Sequence, residues 1–155
     1  MQRILKGYSD SISKAFDLLA SNIANKLSGV HFLTGTDPIY AGLHHTPTTK
    51  DGRSYRDTCH ACYPWHTVDR SLTIVLTRKV HPYVVIHELG HVLDFMLNFK
   101  HVAKPVNDYA GTNRMEAFAE SFACQFYWLG AKAEDIYQSD KATQYFFGEV
   151  LPMWR

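Results

Sequence analysis

The five residues His87-Glu88-Leu89-Gly90-His91 constrain this chain more tightly than any other feature of it. On an α-helix, positions i and i+4 lie on one face, one turn apart. The imidazoles of His87 and His91 can then point at one zinc ion, with Glu88 beside them and within reach of a water that the metal activates. The run Tyr83-Val84-Val85-Ile86 leads into the motif and is apolar, so the helix is expected to be buried. Two histidines and a glutamate inside a core require partners. Composition points the same way, since nine of the 155 residues are histidine, the commonest metal ligand.

A catalytic zinc takes three protein ligands and keeps a fourth position open. The extended metzincin pattern needs glycine at 94 and histidine at 97. This chain has Asp94 and Leu97, which excludes that class. The next candidates stand in Asn113-Arg114-Met115-Glu116-Ala117-Phe118-Ala119-Glu120, where Glu116 and Glu120 share one helix face. One can bind the metal, and the other can accept the outer N–H of a ligating histidine. Paired glutamates also occur on plain solvated faces. Here Ala117, Phe118, Ala119, Phe122 and Ala123 surround them, which sets both carboxylates close to the core, where a cation is the natural partner.

The block from Tyr109 to Glu120 resembles the catalytic block of the anthrax lethal factor-like zinc metallopeptidases, a gluzincin group that includes the Pro-Pro endopeptidases. In that group a tyrosine stands seven residues before the third zinc ligand, and a second glutamate four residues after it. Tyr109, Glu116 and Glu120 keep those spacings, and His87, Glu88 and His91 match the upstream helix. Asp94 fits the aspartate that follows the second histidine. The resemblance spans roughly residues 71–125 and implies a zincin-like metallopeptidase domain with one zinc ion on His87, His91 and Glu116. It implies that Glu88 is the general base, that Tyr109 donates to the oxyanion, and that Glu120 and Asp94 stand in the shell outside the ligands. The expected partner is a protein or peptide substrate. Substrate choice does not carry over, because the group includes enzymes that cut signalling kinases and enzymes that cut between prolines. The competing reading is a zinc-stabilised binding or structural module without catalysis, against which Glu88 argues: a purely structural site has no use for a base.

The rest of the chain reads as an α+β domain over residues 1–155, with helices packed on a small, mostly antiparallel sheet. Ile12, Phe16, Leu19, Ile23 and Leu27 predict one amphipathic helix over 9–27. Strands are expected at 30–33, 39–44 and 71–77. The last alternates, with Leu72, Ile74 and Leu76 on one face, and it offers an edge along which an extended peptide can pair. Residues 45–66 read as a long loop. Pro82 suits the first turn of a helix running to 99, and Asn113 caps another running to 129. Short helices are expected over 131–155, with Phe146, Phe147, Leu151 and Trp154 packing back.

Lys and Arg total 16 against 15 Asp and Glu, a net charge of +1, which exerts no general pull on nucleic acid or an anionic membrane. No apolar stretch approaches a membrane span or a signal-peptide core. The expectation is a cytoplasmic protein by default, with delivery to another cell or secretion by a non-standard route left open. The oligomeric state is not written in the sequence. Cys59-His60-Ala61-Cys62 is compatible with a second metal site, a local disulfide or free thiols.

Overall fold

Burial of an apolar stripe, more than helix propensity, sets the path of the first segment. The computed structural model describes residues 6–34, 61–62, 73–76, 81–103, 108, 110–128, 146–150 and 153. Instead of one helix over 9–27 the chain forms two, α1 (Lys6–Leu18) and α2 (Ser21–Leu27). The break falls at Leu19 and Ala20, where Ala20 is extended (φ −60°, ψ 143°). No glycine or proline stands there. Leu19, Ile23 and Leu27 nevertheless all reach the core across the break.

Three strands follow: β1 (His31–Thr34), β2 (Ala61–Cys62) and β3 (Thr73–Leu76), in the order β1-β3-β2. β2 runs antiparallel to β3, with Cys62 opposite Val75. β1 runs parallel to β3, with Phe32 opposite Ile74. The described sheet is therefore mixed, one pairing of each kind, where a mostly antiparallel sheet was expected, and β3 lies between β1 and β2 instead of offering the edge expected for a peptide. Parallel neighbours need a long crossover, and residues 35–72 between β1 and β3 provide it. Ile74 and Leu76 are buried on one face, as the alternation requires. β2 lies within the segment read as loop. The rest of that segment, the strand expected at 39–44, and Cys59 fall outside the described residues.

The motif helix is α3 (Pro82–Met96). His81 caps it: its Nδ1 accepts from the N–H of Tyr83 at 3.2 Å, and Pro82 fills the first turn, where no donor is missed. Every residue from Val85 to Asp94 is buried, which makes α3 the central element. It ends before the expected residue 99, because Asn98 and Phe99 turn left-handed (φ 57° each). The Phe99 N–H reaches back to the Asp94 carbonyl at 2.9 Å and closes the helix end.

The partner helix is α4 (Arg114–Ala123), preceded by a 3-10 turn at Ala110–Thr112 and continued by a π-helical turn at Cys124–Trp128. Asn113 Oδ1 accepts from the Glu116 N–H at 2.9 Å, the cap that its position in the sequence predicts. α3 and α4 meet at Gly90. A Cβ placed there would stand 3.0 Å from Ala119 Cα and 3.0 Å from the Phe122 ring. Ile86, Leu89 and Leu93 of α3 and Phe118 and Phe122 of α4 form the core with Ile23, Leu27, Ile74 and Leu76. Among the expected C-terminal packing residues, Phe146 stacks on the His101 ring (3.6 Å between centroids). The side chains of Phe147, Leu151 and Trp154 fall outside the described residues. No helix among the described residues is long and apolar enough to cross a membrane.

A Cβ at position 90 would press on the Ala119 backbone as well as the Phe122 ring, so Gly90→Ala requires the α3–α4 contact to shift. The expected loss is about 1–3 kcal/mol, read as a lower denaturation midpoint. Gly29→Ala, where a Cβ meets nothing within 4 Å, is the control and is expected to leave the midpoint in place.

Candidate metal centre

His87 and His91 lie one turn apart on α3, both buried, with rings 4.8 Å apart and nearly perpendicular (85°). Ligand atoms of His87, Glu88 and His91 all fall within 4.8 Å of one another, so the motif forms one cluster and not three separate side chains. Glu116 closes it from α4. Its Oε2 lies 3.1 Å from His87 Nε2, and its Oε1 lies 3.2 Å from His91 Nε2. One carboxylate is thus set across both imidazoles.

Two observations show that this donor set fits a metal ion. Glu116 Oε2 is buried and makes no hydrogen bond, although His87 Nε2 is 3.1 Å away. The atoms converge without the alignment of a donor and its acceptor. Ligands about 2.0–2.1 Å from a tetrahedral zinc ion stand about 3.3 Å from one another, close to the separations seen here. Two imidazoles and a carboxylate are also the chemistry that zinc takes in open sites.

Burial opposes charge on all three of His87, Glu116 and Glu88, and the neighbours decide the outcome at each. Burial works against a charge on His87, but contact with Glu116 and Glu120 outweighs it and pushes the imidazole up to about 10. Burial likewise opposes ionisation of Glu116, yet the two imidazoles hold its carboxyl well below the usual range. Glu88 is pushed up by burial, which the neighbouring histidines only partly offset.

Outside the cluster, Glu120 Oε1 lies 3.3 Å from His87 Nδ1, the position expected of an outer partner that fixes the ring. Asp94 is fully buried. Its Oδ2 accepts from Arg114 Nη2, and its Oδ1 makes no hydrogen bond. Arg114 Nη1 also donates to the His101 carbonyl, and its guanidinium lies 5.7 Å from the Phe99 ring centroid. Asp94 thereby braces the end of α3 against the start of α4, two residues before Glu116. Burial raises the Asp94 carboxyl, with Arg114 pulling the other way. Tyr109 falls outside the described residues.

Two residues join the site without having been singled out from the sequence. Tyr83 donates its hydroxyl proton to Glu120 Oε2, and Arg114 holds Asp94. Tyr83 stands four residues before His87 and so shares its helix face, a signal of spacing that a run of apolar neighbours conceals.

Comparison with protein-family models, with curated proteins and with solved structures returned no match.

The cluster makes a direct demand on Glu116. Glu116→Gln is expected to weaken zinc binding by more than about 100-fold, beyond the 10–100-fold typical of an outer partner. Competition with a chromophoric chelator reads this. Unchanged affinity removes Glu116 from the ligand set.

Proposed function

We propose that this chain is a zinc-dependent endopeptidase of the gluzincin type, with an α+β, zincin-like catalytic domain. The observation that carries the reading is the Glu116 carboxylate set across the Nε2 atoms of His87 and His91, with Glu88 in the same cluster. The resemblance of 109–120 to the lethal factor-like block supports the same assignment of roles.

His87, His91 and Glu116 would hold the ion, leaving a net charge of +1 at the site, suited to an anionic transition state. Zinc bound there supplies Lewis acidity, which polarises the scissile carbonyl and makes water nucleophilic at neutral pH. Glu88 then accepts a proton from the attacking water and returns it to the departing amine nitrogen. Burial raises this carboxyl and so favours the protonated form that it takes between the two transfers. Glu120 orients the His87 ring from the far side, 3.3 Å from Nδ1. Tyr109 takes the role of oxyanion donor on the strength of its spacing from Glu116.

The test is cleavage of a peptide library by the zinc-loaded protein and by Glu88→Gln. Glu88→Gln is expected to keep its zinc and to lose about 10²–10⁴-fold in rate. Zinc binding with no cleavage by the wild type favours a structural module. Cleavage that survives Glu88→Gln overturns the mechanism.

A further inference from the structure

We propose that Tyr83 is a positioning residue for the metal centre: its hydroxyl locks Glu120 in the orientation that holds the His87 ring. The inference rests on the zinc reading of the site. It assigns a function to a residue that acts on the centre through Glu120.

Two glutamates one turn apart on α4 both reach His87. Glu116 meets the Nε2 edge at 3.1 Å, and Glu120 meets the Nδ1 edge at 3.3 Å. For His87 to ligate through Nε2, its Nδ1 must carry the proton and find a fixed acceptor. A glutamate on its own holds such a ring loosely, because its side chain has several rotatable bonds and its terminal torsion is broad. Glu120 is different. Its Oε2 accepts from the Tyr83 hydroxyl while its Oε1 faces His87. With both oxygens engaged, the carboxylate cannot rotate without breaking a buried contact.

Tyr83 is itself held from several sides. It sits on α3 one turn before His87, so donor and ring share one rigid helix and Glu120 spans them from α4. Its backbone N–H is fixed by His81, and its ring packs edge-on to Tyr127 (5.8 Å, 84°). Cys124 Sγ lies 3.5 Å from the same hydroxyl and lines the other side of it. Removing the hydroxyl would leave a buried carboxylate oxygen short of a charge-assisted hydrogen bond. Glu120 would then reorient to recover one, and the His87 ring would lose its fixed acceptor.

The experiment measures zinc affinity by chelator competition for the wild type, Tyr83→Phe, Glu120→Gln and the double variant, with Tyr8→Phe as control. Phenylalanine keeps the ring and its packing. Tyr83→Phe is expected to weaken zinc binding by about tenfold, the lower end for an outer partner. Because Tyr83 acts through Glu120, the double variant is expected to bind no more weakly than Glu120→Gln alone. Tyr8→Phe, which removes a phenol hydroxyl on α1, is expected to match the wild type. Should Tyr83→Phe fail to fold, Glu120→Asp, which keeps the charge but draws it back from the phenol, carries the same expectation. Wild-type affinity in Tyr83→Phe, or in Glu120→Asp where that variant stands in for it, or strictly additive losses in the double variant, overturn the inference and leave the metal reading standing. A wild-type protein that binds no zinc overturns both.

Discussion

At Gly90 helices α3 and α4 approach so closely that Ala119 Cα and the Phe122 ring each lie 3.0 Å from where a Cβ would be. The rest of the site follows from that contact. Gly90 stands one residue before His91, and Ala119 one before Glu120, so the close approach occurs at the level of the imidazoles. A glutamate can bridge from one helix to the other only when the axes are this near. Glu116 then falls on the Nε2 edges of the histidines and Glu120 on the Nδ1 edge of His87. The glycine thus sets the geometry of the cluster although it supplies none of its polar atoms.

Such a cluster conflicts with ordinary core packing. His87, Glu88, His91, Asp94 and Glu120 are all buried among Leu, Ile, Val and Phe side chains. Buried charges of this kind are tolerated when paired or bound to a metal. Arg114 answers for Asp94, and the histidines and carboxylates answer for one another. A divalent cation would compensate the remaining carboxylates far better than imidazolium does, and it would leave Glu88 free to exchange protons. Metal binding on this view contributes to folding as well as to chemistry.

Much of the site could be read in the sequence because it depends on local periodicity. Helix spacing alone puts His87 beside His91 and Glu116 beside Glu120, and the Asn113 cap sets where α4 begins. What could not be read depends on contacts distant in sequence. Tyr83 meets Glu120 across 37 residues, and Arg114 meets Asp94 across 20. Neither pairing leaves a spacing signature. Asp94 illustrates the difference: its burial on the motif helix followed from the sequence, but its engagement with Arg114 did not. The break between α1 and α2 has no local breaker to announce it, and the parallel β1–β3 pairing joins residues far apart in sequence, Phe32 to Ile74.

The claim that most needs direct measurement is the ligand set. X-ray absorption at the zinc edge of the metal-loaded protein reports it without reference to activity. The result expected is a first shell of nitrogen and oxygen at about 2.0–2.1 Å with the outer-ring scattering of two imidazoles. Sulfur scattering at about 2.3 Å would contradict the account, because it would move the metal from His87, His91 and Glu116 to the cysteines.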